Sequence, residues 1–482
     1  MSAAFHQRIH EALLDERLQK ALYAATGRLM QERKHGVAPD KLPDYQELRA
    51  HANCIKQHTL ENLDYYLELL ASKVEERGGH AVWCRDAGEA QTFIGQLAQE
   101  RGVRLAVKSK SMTSEEVELN EALRNYGVEA VETDLGEFII QLAHQRPYHI
   151  VAPAMHKTKE QVADLFAEKL GVPREEEISK QTMIARAILR RKFLEAGMGI
   201  SGANFLVAES GAVVIVENEG NARLTTSAPR IHVALAGIEK IIPRAADLAV
   251  FLQLLGRSAT GQPLTSYTSF LSGPRRAGEI DGPEEFYLVL IDNGRSRILA
   301  DGEKRQTLYC IRCGACLNIC PVYRRIGGYS YPGAYSGPIG AILTPQALGL
   351  GLEPELPFAS SLCGACAEVC PVKIDIPKML LALRGEVKKI QAREVSRWSL
   401  EASNLEKLGF GLWAWLMRHP RLFEMAGTAA QALLPADRSS NPGGKWIRSL
   451  PGPLRAWTRW RDFPPPAPKS FRQLWRERRR PS

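Results

Sequence analysis

The chain has 482 residues, 45% of them apolar, and a formal net charge of +9. That is enough length for two to four domains with buried cores, and the composition excludes a disordered or fibrous protein. The charge is concentrated in residues 441–482, which carry eleven Lys/Arg against two Asp/Glu. The rest is neutral, which argues against a general nucleic-acid surface.

In chain order, residues 1–75 read as a helical lead-in, with apolar residues at three-to-four spacing over 9–30 and 60–74 and breaks at Pro39 and Pro43. The start has no apolar signal core, so no secretion is expected. Residues 76–295 alternate short apolar strands (81–84, 103–107, 128–131, 149–152, 205–208, 212–216, 286–291) with helices such as 87–101 and 114–126. This rhythm predicts an α/β domain with a mostly parallel sheet. A cysteine-rich segment follows over 296–380, a helical region over 381–440, and a basic Trp/Pro-rich tail over 441–482 with Trp446, Trp457, Trp460, Phe471 and Trp475. The tail reads as an arm along the chain's own surface, with an acidic partner or an anionic membrane face as the functional option. The longest apolar run, 408–417, is ten residues, too short to span a bilayer, and reads as a helix packed on the cysteine-rich segment.

The α/β half carries several motifs. Gly197, Gly199 and Gly202 satisfy G-x-G-x-x-G, but a helix precedes them and a strand follows, so they read as a helix stop and loop instead of a dinucleotide site. The turn from Lys108 to Glu116 follows a strand and opens a helix, with Thr113 and Glu116 spaced as a capping box. Its free amides and lysines suit either plain capping or a carboxylate or phosphate. Glu209-Ser210-Gly211 and Glu217-Asn218-Glu219-Gly220-Asn221 read as turns that bring carboxylates and amides to a strand edge. His156, Cys84, and Cys54 with His51 and His58 read as structural or surface residues.

The cysteines carry the chemistry. Seven of the nine fall in two bursts, Cys310-x2-Cys313-x2-Cys316-x3-Cys320-Pro321 and Cys363-x2-Cys366-x3-Cys370-Pro371. This is the spacing of two-cluster ferredoxins, in which the first three thiolates of a run hold one four-iron cluster and the fourth reaches the other. Structural zinc needs four ligands but no proline-closed run, and a disulfide framework does not suit clustered thiols in a long chain without a secretory segment. The crossed rule assigns Cys310, Cys313, Cys316 and Cys370 to the first 4Fe-4S cluster and Cys320, Cys363 and Cys366 to the second. Where the second set's fourth thiolate belongs stands Ser360. Three outcomes stay open there: a serine, water or partner ligand at the odd iron, a three-iron cluster, or a four-iron cluster that loses iron on oxidation.

Taken together, Ser109-Lys110-Ser111-Met112-Thr113-Ser114-Glu115-Glu116, Thr133-Asp134-Leu135-Gly136-Glu137, Glu209-Ser210-Gly211-Ala212, Asn218-Glu219-Gly220-Asn221-Ala222-Arg223, the two bursts and the basic Trp-rich end resemble the lactate utilisation protein B family over essentially the whole chain. The resemblance implies a lactate-utilisation domain of the sugar-phosphate isomerase and CoA-transferase type, followed by an α-helical ferredoxin domain with two iron–sulfur clusters. It implies a bacterial cytoplasmic electron carrier, rather than a stand-alone enzyme, working with a cysteine-rich partner and a second lactate-utilisation-domain protein to oxidise L-lactate to pyruvate. CoA-transferases of that type use a glutamate in a turn like that of Glu209. The rival expectation is that the α/β half itself binds and oxidises a 2-hydroxy acid at the turn of Lys108 to Glu116, beside the Ser360-flanked cluster. No flavin or nicotinamide motif is recognisable.

Overall fold

The computed structural model describes residues 3–394, 399–433, 446–452, 455–458, 462–464, 467 and 469–478. Ten strands organise the α/β half: β1 (His80–Cys84), β2 (Leu105–Lys108), β3 (Glu129–Glu132), β4 (Met198–Ser201), β5 (Phe205–Val207), β6 (Ala212–Glu217), β7 (Ile231–Gly237), β8 (Ile241–Ile242), β9 (Tyr267–Leu271) and β10 (Glu285–Ile291). The apolar runs of β7 and β10 are buried along almost their whole length, the condition of strands covered on both faces. They lie side by side inside a six-stranded, all-parallel sheet of order β1-β10-β7-β4-β2-β3, in a register that pairs Val289 with Leu235 and Met198 with Ile231. A smaller mixed sheet, β8-β5-β6-β9, joins β5 to β6 through the turn at Glu209 to Gly211.

The structure corrects four expectations here. Residues 149–152 form no strand. The His149 Nδ1 accepts the amides of Val151 (3.1 Å) and Ala152 (3.2 Å), which closes a turn and removes those donors from any ladder. The helix does stop before the glycine motif, at Glu195, but the middle of the motif is strand β4 and not a loop, with Gly197 and Gly202 flanking it; Gly199 is needed because a Cβ there would overlap the Thr225 carbonyl of the helix Asn221–Ser227. The helix expected over 114–126 is two helices, Met112–Glu116 and Leu119–Asn125, separated where Glu118 takes φ 48°. Its N-cap is Ser111, whose Oγ accepts from Ser114 N at 3.2 Å, so the Thr113 and Glu116 capping box does not form.

The lead-in comprises the helices Ala3–Leu14, Glu16–Gly36, Tyr45–Glu61 and Leu63–Glu76. Its basic and amide side chains reach into the cysteine segment. Arg49 donates to the carbonyls of Cys370 (2.8 Å), Glu368 (2.7 Å) and Ala367 (3.2 Å), Arg33 to Val369 (3.0 Å) and Asn53 to Val372 (2.7 Å). Residues Met1–Ile390 make one compact unit and Gln391–Ser482 a second. In the second, Leu408, Phe410, Leu412, Trp413, Trp415 and Met417 of the helix Ser399–Arg418 are exposed, as are Trp446, Phe471 and Trp475. Trp460 lies outside the described residues, as does the side chain of Trp457. No helix among the described residues is long and apolar enough to cross a membrane.

Candidate functional site

The two cysteine bursts fold as a structural repeat. In each, a non-glycine residue takes a left-handed conformation (Arg312, φ 61°; Leu362, φ 54°), and a glycine follows at positive φ (Gly314, 74°; Gly364, 84°). That glycine caps a one-turn helix, Ala315–Ile319 or Ala365–Val369, and the run ends on an extended cysteine before proline. The two short helices pack on one another. Such loops turn backbone amides toward the sulfurs: Arg312 N lies 3.4 Å from Cys310 Sγ, Tyr323 N 3.4 Å from Cys320 Sγ and Ile374 N 3.4 Å from Cys370 Sγ. In the second burst the equivalent of the Arg312 amide is that of Leu362, and it donates to Ser360 Oγ at 3.1 Å. Ser360 therefore occupies the structural place of Cys310.

Folding sorts the thiols into two groups. Cys310, Cys313, Cys316 and Cys370 line one apolar cavity with Ile150, Ile339 and Ile374. Burial, then its neighbours, pushes the Cys313 thiol up to about 12 and holds Cys316 well above the ordinary thiol range; Cys370 rises to about 11, chiefly through burial. Crowded, dehydrated thiols such as Cys313, Cys316 and Cys370 are costly to ionise alone, and iron supplies the charge that makes them thiolates; with Cys310 the donor set fits a four-iron cluster. Cys320, Cys363 and Cys366 form the other group, in which Cys320 and Cys363 both act on Cys366, and Cys363 acts on Cys320. Burial raises Cys366 to about 12, whereas exposed Cys363 is held below the usual thiol range by the Ala365 amide and the Ser361 hydroxyl. Cys316 also feels Cys366, so the groups are neighbours.

Cations gather around the first group. Arg312 and Glu239 pair at 3.1 Å, Arg295 holds the other Glu239 oxygen, and Arg312 lies 4.7 Å from the Tyr335 ring centroid. Burial opposes the Glu239 charge, but Arg295 and Arg312 outweigh it and bring the carboxyl down to about 2. Lys56 and Lys240 are buried nearby; desolvation lowers them to about 7 and about 8, against the pull of Glu239.

A cavity of about 330 Å³ opens at the carboxyl edge of the parallel sheet. Its wall comes from the segments that follow four strands: Asp134 after β3, Ser109 to Thr113 after β2, Gly202 to Asn204 after β4, and Lys240 beyond β7. Glu217, Asn218, Glu219 and Asn221 also line it, and Cys313 and Arg312 reach it. The turn singled out in the sequence thus faces a cavity, with two corrections. Lys108 does not face that cavity: its ammonium is buried between Glu132 (2.7 Å) and Glu115 (2.9 Å), which outweigh burial and raise its pKa. The neighbouring thiol is Cys313 of the first group, and Ser360 is not among the lining residues.

The remaining candidates are structural. Glu209 is spent on the Ala245 amide (2.7 Å), His156 contacts Gln145 and Tyr329 and is lowered by burial to about 3, and Cys84 is buried in β1. Cys54 is exposed, and His58 pairs with Tyr66 Oη at 2.9 Å. Lys240, Arg49 and Lys56 carry no motif, and no sequence signal marks them out.

Comparison with known proteins matches this architecture. The family model for the LUD domain covers residues 67–291, that for a 4Fe-4S dicluster domain covers 306–374, and that for the lactate utilisation protein B C-terminal region covers 382–480. The seven clustered cysteines thus belong to a 4Fe-4S dicluster domain, which carries two iron–sulfur clusters. Lactate utilization protein B of Bacillus velezensis is 44% identical over 478 residues, 99% of this chain and 97% of that protein. Its namesake in Bacillus subtilis is 44% identical over 476 residues, 98% of this chain and 96% of that one. A crystal structure of a DUF162 family protein from Deinococcus radiodurans covers 48% of this chain and 98% of its own, at 11% identity and TM-score 0.28. At such identity over nearly its full length, with an α/β LUD domain, a dicluster segment and a helical C-terminal region in matching order, the chain belongs to the lactate utilisation protein B family.

Proposed function

We propose that, within lactate utilisation, this chain is the iron–sulfur electron-transfer subunit of a multi-protein system that oxidises L-lactate to pyruvate. The observation that carries this reading is the placement of the thiols. One group lines an apolar cavity with none of its thiols fully exposed, the other opens to solvent at Cys363, and Cys316 and Cys366 adjoin between them. Cys310, Cys313, Cys316 and Cys370 would hold one cluster, and Cys320, Cys363 and Cys366 with the Ser360 hydroxyl the other. A cluster in each takes up and gives electrons singly. The chain's own residues exclude water from the first group and bring the second to a surface where a partner can dock. A cysteine-rich protein and a second protein with a lactate-utilisation domain are the partners proposed, in the cytoplasm. The proposed divisions are 1–75, 76–295, 296–380, 381–440 and 441–482, with a sugar-phosphate isomerase or CoA-transferase type of fold for the second and a helical ferredoxin type for the third.

A second reading, in which the α/β half itself takes the hydroxy acid, is favoured by the cavity that ends at Cys313. Rapid-freeze paramagnetic resonance after mixing with L-lactate separates the two. Cluster reduction only in the presence of the partner proteins supports the carrier. Reduction of this chain alone supports the second reading, and no reduction in either case overturns both.

A further inference from the structure

Parallel α/β sheets bind ligands at the carboxyl ends of their strands, and the 330 Å³ cavity sits at that edge, beyond β3, β2, β4 and β7. Its volume is at the lower end for small-molecule sites. What it can hold depends on which polar groups in its wall are already satisfied.

The acids are. Glu217 accepts the amides of Ala222 (2.8 Å) and Arg223 (2.9 Å), Glu219 that of Leu135 (3.0 Å) and Asp134 that of Glu137 (3.1 Å). The side-chain carbonyls of Asn204 and Asn218 are likewise taken, by Val216 N (3.0 Å) and Ser266 N (2.9 Å). The lysines are not. Lys240, 9% exposed, makes no hydrogen bond or ion pair among the described residues, and neither does Lys110. Glu239, next to Lys240 in sequence, favours its charge from a distance, but both Glu239 oxygens are held by Arg295 and Arg312 and none pairs with the Lys240 ammonium. A buried ammonium with no anion in contact is costly, and the cost is relieved when a ligand brings one.

We propose that this cavity binds a small monocarboxylate of the 2-hydroxy acid class, its carboxylate held by Lys240 with Lys110 beside it. The charge balance selects the class. With Asp134, Glu217 and Glu219 in the same wall, a phosphate dianion meets stronger repulsion than a single carboxylate does. The same carboxylates retain lone pairs that accept from a substrate hydroxyl, which separates a hydroxy acid from a plain one. Cys313 also lines the cavity, so the bound acid lies against the first cysteine group. The proposal deepens the second reading of the function and rests on it for the identity of the acid.

The test is calorimetric titration of the anaerobic, iron-loaded, full-length protein with L-lactate, pyruvate and inorganic phosphate, with iron content measured for every variant. The expected result is saturable L-lactate binding, weakened about tenfold or more by Lys240→Met and by a smaller factor in Lys110→Met, while Lys192→Met, far from the cavity on the helix Ile178–Glu195, binds as the parent does. Absence of saturable lactate binding, preference for phosphate over lactate, or an unchanged affinity in Lys240→Met overturns the proposal. Should Lys240→Met lose its iron, Lys110→Met decides, and an unchanged affinity there overturns it as well. Binding without cluster reduction by lactate keeps the site and removes only the oxidising role from this chain.

Discussion

Around Cys310, Cys313, Cys316 and Cys370 the protein places Arg33, Arg49, Lys56, Lys240 and Arg312, each close enough to act on one of the thiols. Around Cys320, Cys363 and Cys366 the leading influences are burial, backbone amides and the thiols themselves, and Cys363 meets solvent. The backbone of the two bursts is nearly the same, down to the left-handed residues before each one-turn helix. What differs is the surroundings: the lead-in helices and the loop after β7 supply cations to the first group only. Positive charge favours the electron-richer state of whatever the thiols hold, so these cations make the first group easier to reduce than the same group without them.

The hardest test of this comparison is to delete one cysteine from each group. Cys370→Ala is expected to lose half or more of the bound iron and to lower the unfolding temperature sharply, because it removes a ligand at the point where Arg49 ties the lead-in to the segment. Cys363→Ala is expected to lose about half the iron and to keep the fold. Iron and acid-labile sulfide assays with thermal unfolding distinguish these outcomes, and equal destabilisation would break the asymmetry.

A smaller effect is expected from Arg49→Met, which leaves three carbonyls without their donor. It should cost about 2–4 kcal/mol in chemical denaturation and lower the first group's midpoint by on the order of 50 mV in a redox titration, with the second unmoved. Ser360→Cys sharpens the comparison in the other direction. With sulfur in the place that matches Cys310, the second group should keep its full iron complement through air exposure, whereas the parent loses iron from that group first; Mössbauer spectra before and after exposure decide it. The smallest effect concerns protonation. In iron-depleted protein, iodoacetamide should modify Cys363 first. Its rate should rise at a lower pH than for an ordinary thiol, because the Ala365 amide and Ser361 hydroxyl favour the thiolate. Cys313, Cys366 and Cys370, raised by burial to between about 11 and about 12, should lag.

Local pattern made part of this legible. Ligand spacing in the bursts, the alternation of apolar strands with helices, and the place of Ser360 are all encoded within a few residues, and the structure keeps them adjacent. Other features were opaque for identifiable reasons. β7 reads as a plain apolar run, and β4 hides inside a glycine motif because Gly199 answers to the helix beside it. Residues 149–152 look like a strand until the His149 ring takes their amides. Lys108 looks free for an anion until Glu132, from the adjacent β3, reaches it.

Spacing of sulfur ligands along the chain is a property of the covalent backbone, so cluster chemistry, the identity of the odd position and the α/β class were determined by the residues in order. Which cations face which thiols, and that the carboxyl edge of the sheet ends at Cys313, depend on residues more than two hundred positions apart, such as Arg49 with Cys370 and Lys110 with Cys313. Electrostatic and packing forces act through space and not along the chain, and only the tertiary fold brings those groups within their range.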